Sequence, residues 1–186
     1  AIHGTNVLAL GISEPDAGSD VASIRTRAER VVGGWRINGT KTWITNGVRW
    51  NTIVLVTRTG RQEEGSAAIT LFLVDRDTPG ITVERKINKM GMNSSDTAQL
   101  AFTNVIVPDD AVLGDVDRGF HQIMWELQGE RLIGAIGAVA GAQAAFDYTI
   151  EYCRQRMLFG RPLTGFQVTR HKLVDMATDI DIIRTY

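Results

Sequence analysis

The chain has 186 residues, 44% hydrophobic and 22% charged, enough for one domain with its own core or for two small ones. Twenty Lys and Arg against 21 Asp and Glu leave a net charge of −1, which gives no reason to expect a nucleic-acid footprint or a polybasic membrane anchor. A single cysteine, Cys153, excludes an internal disulfide framework and a multi-cysteine zinc site, and His3, His121 and His171 lie too far apart for metal-ligand spacing.

The chain opens Ala-Ile-His-Gly-Thr-Asn, with no initiator Met, basic segment or cleavable apolar stretch, and stops at Tyr186 inside a helix-like pattern that starts at Val168. It reads as a piece of something longer, or as a processed mature protein. From about residue 5 to 116 the pattern is that of β-structure. Val7–Ser13, Ile24–Val32, Trp35–Thr45, Thr52–Arg58, Ala67–Val74, Ile81–Ile87 and Thr97–Val107 are short runs rich in Val, Ile, Thr and aromatics, divided by turn residues. Gly33-Gly34 and Asn38-Gly39 both read as hairpin turns, because a type I′ turn needs positive φ at its two central residues. Asp77-Thr78-Pro79-Gly80 reads as a further turn. Strand follows strand without an intervening helix, so the expectation is an antiparallel sandwich or barrel and not a dinucleotide-binding α/β sheet.

After Pro108-Asp109-Asp110 and Gly114 the period changes, and the domain boundary is set near residue 117. Gly119 to Arg156 reads as one helix, with Phe120, Ile123, Met124, Leu127, Leu132, Ile136 and Val139 at helical spacing. Glycines at 134, 137 and 141 each cost about 1 kcal/mol against alanine in a helix interior, so close helix–helix approach in a bundle is the expected compensation. The most apolar run, Leu132 to Phe146, falls short of the roughly 20 residues of a membrane span. Phe159-Gly160-Arg161-Pro162 ends the helix, and a second begins near Gly165. The fold class expected is α+β: a β-domain over 1–116 followed, over 117–186, by long helices of an incomplete bundle.

Four segments could carry chemistry. Gly11-Ile12-Ser13-Glu14-Pro15-Asp16-Ala17-Gly18-Ser19-Asp20 leaves a strand into a tight loop, where Gly18 permits positive φ and the hydroxyls of Ser13 and Ser19 can donate to a ligand or cap a turn. Trp43-Ile44-Thr45-Asn46-Gly47 ends a strand whose alternation sets Trp43 and Thr45 on one face and Ile44 on the other. That suits one side of a planar heterocycle, or else Trp43 belongs to the core. Glu130-Arg131 opens the glycine-rich helix, where a carboxylate beside apolar surface can act as a base, or simply sit well in the field of a helix start. Arg154, Arg156 and Arg161 cluster at a helix end, where cations satisfy carbonyls or grip a pyrophosphate. Cys153 reads as a small packing residue.

Taken in order, these segments resemble the acyl-CoA dehydrogenase family. Ser13-Glu14-Pro15-Asp16-Ala17-Gly18-Ser19-Asp20 resembles its first signature and Trp43-Ile44-Thr45-Asn46-Gly47 its flavin-side strand. Lys89-Met90-Gly91-Met92, Phe102 with Asn104-Val105 and Val107-Pro108, Gly119-Phe120 and Arg156-x-x-Phe159-Gly160-Arg161-Pro162-Leu163 fall where the family has them. The resemblance runs along the whole chain and implies a middle β-domain plus the first helices of the C-terminal domain, about half an enzyme. It implies FAD as cofactor, α,β-dehydrogenation of an acyl-CoA thioester, and electron-transfer flavoprotein as the acceptor. It also implies a homo-oligomer, and either the bacterial cytoplasm or the mitochondrial matrix.

By motif, Leu10, Ile12, Ser13, Gly18 and Ser19 would line the flavin and its phosphates, and Ser19 would also touch the CoA side of the substrate. Trp43, Ile44 and Thr45 would cover the other flavin edge. Arg156, Phe159 and Gln167 would hold the FAD of a neighbouring subunit. Leu158 stands where many members have Thr, which removes one hydroxyl contact. Arg131 falls near the CoA end of the substrate. Glu130 directly before it matches the subset resembling isovaleryl-CoA and long-chain dehydrogenases, which implies Glu130 as the catalytic base. The alternatives are a flavin oxidase or monooxygenase of the same fold, and a non-catalytic binding or assembly module. The isolated 186 residues are expected to bind FAD poorly and not to turn over.

Overall fold

A computed structural model describes residues 2–185, so the part of the terminal helical pattern at Tyr186 lies outside the described residues. The β-rich part holds β1 (Leu8–Gly11), β2 (Arg27–Val31), β3 (Gly34–Thr45), β4 (Thr52–Arg58), β5 (Ile69–Asp75), β6 (Ile81–Lys86), β7 (Thr97–Pro108) and β8 (Val112–Leu113). These eight strands form one sheet, ordered β6-β7-β3-β2-β4-β5-β8, with β1 attached to β4. The α+β expectation stands. The sheet is open where a closed barrel was one option, and it is mixed, since β1 runs parallel to β4 from Leu8↔Thr52 to Gly11↔Leu55. A parallel pair cannot be read from hairpin turns, because its two strands are joined by a long excursion through the chain.

Along β3 and β7 the core follows a period-two alternation that changes parity at the register shifts, whereas β4 and β5 carry buried runs over 55–58 and 69–72. Ile37, Ile44, Ile53, Leu55, Phe72, Leu100 and Val105 are fully or almost fully buried, and Trp35 meets Phe72 edge to face at 5.5 Å. Each such side chain contributes about 1.5–3 kcal/mol of transfer free energy, so this alternation and not local propensity sets the register. Val31↔Gly34 is the last pair of the β2–β3 hairpin, which places the two-residue turn at Val32-Gly33, with φ of +80° at Gly33. Asn38-Gly39 is not a turn. It lies inside β3 as a bulge, where the β3–β7 register shifts between Ile37 and Gly39. Asn38 Oδ1 accepts the Asn104 N–H at 2.8 Å, and the missing side chain of Gly39 lets Thr26 approach. The dipeptide that favours a turn was used instead to admit a neighbouring backbone.

The remainder holds α1 (Gly119–Gln155), the short strands β9 (Met157–Leu158) and β10 (Arg161–Pro162), and α2 (Gln167–Thr185). The chain divides into two compact units, one closing at Met124 and the other opening at Trp125. The helical unit carries an apolar groove of about 600 Å³ lined by Leu132, Ile136, Val139, Ala140, Ala144 and Ile183. The expected close packing at the helix glycines is absent among the described residues, because a side chain at Gly134, Gly137 or Gly141 would meet open space. Spacing shows where a helix is thin, not what covers it. Among the described residues no helix is long and apolar enough to cross a membrane.

Candidate functional site

Residues Glu14 to Ala17 close a tight turn by reciprocal backbone bonds, Glu14 N–H to Ala17 C=O at 2.8 Å and Ala17 N–H to Glu14 C=O at 3.2 Å. Pro15 suits this turn because the ring presets its φ and the turn asks no N–H of it. Gly18 is exposed and does not use positive φ, contrary to the expectation for it. Ser19 is exposed too, and Asp20 takes the position that begins the short turn Val21–Ser23, where the Ser23 hydroxyl donates to its carboxylate. Leu10, Ile12 and Ser13 are half-buried on the way into the loop.

Beneath the loop lies a charged pair whose role was not visible in the sequence. Lys41, on β3, has a fully buried side chain, and that of Glu14 is 7% exposed. Lys41 Nζ donates to Glu14 Oε1 at 2.8 Å and to the Ile12 carbonyl at 2.8 Å. Glu14 also accepts the Arg25 N–H at 2.7 Å and the Thr26 N–H at 2.9 Å. Burial pushes the Glu14 carboxyl up, but the Lys41 charge and the bonds from Lys41, Thr26 and Arg25 outweigh it, so the group is held below its ordinary value. Desolvation dominates at Lys41 and pulls the ammonium down to about 8, with Glu14 opposing. The carboxylate is the better-satisfied partner because it accepts three bonds where the ammonium makes two. The one available signal was a lysine at an inward position of a strand otherwise buried by alternation, where a lone charge demands a partner.

The Thr42 N–H donates to the Ser13 carbonyl at 2.9 Å. The Ser13 loop and the Trp43-Ile44-Thr45 strand end, 30 residues apart in the chain, therefore abut. Trp43 is 63% exposed and so not a core residue, while Thr45 is exposed and Ile44 is 2% exposed. The Ile44 side chain belongs to the core. Trp43 adopts φ of +60° beside a second register shift, between Lys41 and Ile44. A bulky residue in the left-handed region costs about 1–3 kcal/mol and persists where its surroundings over-determine it. The result is an outward indole on a strand end whose backbone is bonded to the Ser13 loop, and the indole, Ser13 and Thr45 are residue types that fit the rim of a planar heterocycle such as a flavin.

The remaining expected residues belong to the helical unit. Glu130 and Arg131 are exposed on α1. Burial, followed by a side-chain hydrogen bond and charge repulsion from Glu130, raises the carboxyl of Glu126 one turn earlier. Arg156 follows α1, its N–H bonded to the Tyr152 carbonyl at 2.9 Å. Leu158↔Arg161 closes a two-residue hairpin at Phe159-Gly160, with φ of +48° and +77°. This is the positive-φ pair of a type I′ turn, and it leaves Phe159 89% exposed. Arg161 stacks over Phe166 at 4.0 Å, and Gln167, exposed, is the first residue of α2.

Comparison with known proteins agrees along the whole length. The family model for the acyl-CoA dehydrogenase middle domain matches residues 9–105, and that for the acyl-CoA dehydrogenase C-terminal domain matches residues 117–186. A mitochondrial 2-methylacyl-CoA dehydrogenase of Solanum tuberosum is 44% identical over 185 residues, covering 100% of this chain and 45% of its own. The mitochondrial isovaleryl-CoA dehydrogenase of the same plant is 43% identical over 185 residues, again with 100% and 45% covered. The crystal structure of a probable acyl-CoA dehydrogenase from Mycobacterium abscessus superposes with a TM-score of 0.94 at 45% identity, covering 98% of this chain and 48% of that one. The chain thus spans about half the length of the relatives it matches. On the two domain models and the shared fold, this chain belongs to the acyl-CoA dehydrogenase family.

Proposed function

We propose that the full-length protein is an FAD-dependent acyl-CoA dehydrogenase, in which this chain supplies the flavin-facing β-domain, residues 1–116, and the first helices of the following domain, from residue 117. The observation that carries the reading is the junction of the two motifs, where Ser13 is hydrogen-bonded to Thr42 beside an outward-facing Trp43. Bound FAD would accept the β-hydride of the substrate. Leu10, Ile12, Ser13, Gly18 and Ser19 would hold its ring and phosphates from one side. The Trp43 indole, the Ile44 backbone and the Thr45 hydroxyl would hold it from the other. Ser19 and Arg131 would bind the CoA portion, and the Glu130 carboxylate would take the α-proton. Arg156, Phe159 and Gln167 would reach the FAD of a second copy, which makes the working enzyme a homo-oligomer. Electrons would pass to electron-transfer flavoprotein, in the bacterial cytoplasm or the mitochondrial matrix.

The test is the purified full-length protein. A flavin absorbance band in the blue, and bleaching of that band by one or more of a panel of acyl-CoA thioesters, is the expected result. Colourless protein overturns the reading. Glu130→Gln should retain the band but lose about 10²–10⁴-fold in turnover, the worth of a positioned general base. Turnover within about threefold of wild type would move the base elsewhere, since the smallest loss expected of a base is larger. Oxygen consumption by the reduced enzyme, fast enough to match turnover, would favour a flavin oxidase.

A further inference from the structure

We propose that the buried Lys41–Glu14 pair is a positioning clamp, which fixes Ser13 against the flavin wall by holding the residues on both sides of it from β3. The proposal rests on the flavin reading of the Ser13 loop and goes on to say what sets that loop in place. Lys41 Nζ lies 2.8 Å from the Ile12 carbonyl and 2.8 Å from Glu14 Oε1, so one ammonium grips the residue before Ser13 and the residue after it. The next residue, Thr42, donates its N–H to the Ser13 carbonyl itself at 2.9 Å. Three consecutive loop residues are therefore tied to two consecutive strand residues. The same strand then delivers Trp43 and Thr45 to the other side of the site. Glu14 extends the tie outward, since the Arg25 and Thr26 N–H groups close the far end of the loop on its carboxylate.

The chemistry argues for positioning over plain stability. A buried ion pair is often no better for stability than well-packed apolar side chains of the same size, because two charges must be stripped of water. What an apolar pair cannot do is bind a backbone carbonyl and a carboxylate from one atom. A compact ammonium with three donors on a flexible stem does this. It leaves the Ser13 side chain as the member of the loop start that is free to turn toward a ligand.

The experiment uses the full-length enzyme and three variants: Lys41→Met, Glu14→Gln and the two combined. Melting temperature, FAD dissociation constant and the position of the flavin visible band are measured for each. Lys41→Met strands a buried carboxylate and should lower both the melting temperature and FAD affinity. In the double variant no charge is left unpaired, so the melting temperature should recover. FAD binding should nevertheless stay about tenfold or more weaker, with a displaced flavin band, because the bond to the Ile12 carbonyl is gone. If the double variant recovers FAD affinity to within about twofold, the smallest loss that one charged hydrogen bond would cause is excluded and the clamp is overturned. The double variant decides the matter even if Lys41→Met does not fold. Ser13→Ala separates the clamp from the reading beneath it. A full-length protein that carries no flavin, with Ser13→Ala silent, overturns the flavin reading and the clamp together. A silent double variant beside a perturbed Ser13→Ala overturns the clamp alone.

Discussion

Arg58→Met should destabilise the β-rich unit by about 3 kcal/mol, although among the described residues the guanidinium bonds to backbone carbonyls and not to a carboxylate. Arg58 is 2% exposed and spends its donors on four backbone carbonyls. Nε reaches Ile24 at 3.0 Å, Nη1 reaches Arg61 at 3.2 Å and Gly65 at 3.0 Å, and Nη2 reaches Ala22 at 2.5 Å. It thereby pins the short turn at Val21–Ser23 to the turn over Gln62–Ala68. A methionine of similar length keeps the packing and deletes all four bonds. Stranding four carbonyls at about 1 kcal/mol each costs roughly 4 kcal/mol, and release of the guanidinium's desolvation returns roughly 1 kcal/mol. Arg58→Lys can remake one or two of the bonds and should lose about half as much. Urea unfolding of the full-length enzyme, followed by tryptophan fluorescence, measures the difference, since the buried Trp35 and Trp50 report on this unit. The Ala22 and Ile24 carbonyls lie just before Arg25 and Thr26, whose N–H groups bind Glu14, so FAD content should fall with stability. A loss under about 1 kcal/mol for Arg58→Met would refute the reasoning, because it would mean that water replaces the guanidinium at little cost.

The buried pair also makes stability depend on pH. Between about 8 and the ordinary 10.5, folded Lys41 is neutral while the unfolded lysine is charged, so its contribution rises with pH across that window. The Glu14 contribution is complete above the ordinary carboxyl value of 4.5 and is lost as pH falls through its lowered folded value. Melting curves of wild type minus the Lys41→Met/Glu14→Gln variant should show both limbs, and a Lys41 limb of opposite slope would contradict the assignment. Trp43→Gly removes a strained, 63% exposed residue and should leave stability unchanged or about 1 kcal/mol higher while flavin binding weakens. A loss above about 1 kcal/mol in chemical unfolding would show that the indole packs in the fold after all. Gly39→Ala places a Cβ 2.5 Å from Thr26 Oγ1 and 2.6 Å from Thr26 Cα and should cost about 2 kcal/mol or more, which equal unfolding midpoints would disprove.

Much of the fold was legible because its signals are local. A run rich in Val, Ile and Thr marked Thr52–Arg58 to the residue, and the period change after Gly114 located the long helix. Asn38-Gly39 misled because the same conformational freedom serves a turn or a bulge. The choice between them is made by Thr26 and by β7, far away in the chain.

The candidate site divides the same way. Its residue types, the Ser13 loop, the Trp43 strand end and Glu130-Arg131, follow from the sequence alone, since chemistry is carried by side-chain identity and short spacing. Only the tertiary structure decided that Ser13 meets Thr42, that Trp43 faces outward in a strained backbone, and that Lys41 and Glu14 share a buried bond. The two contacts join residues 29 and 27 positions apart, and their energies depend on burial. Burial is a property of the whole packed sheet and of no single segment within it.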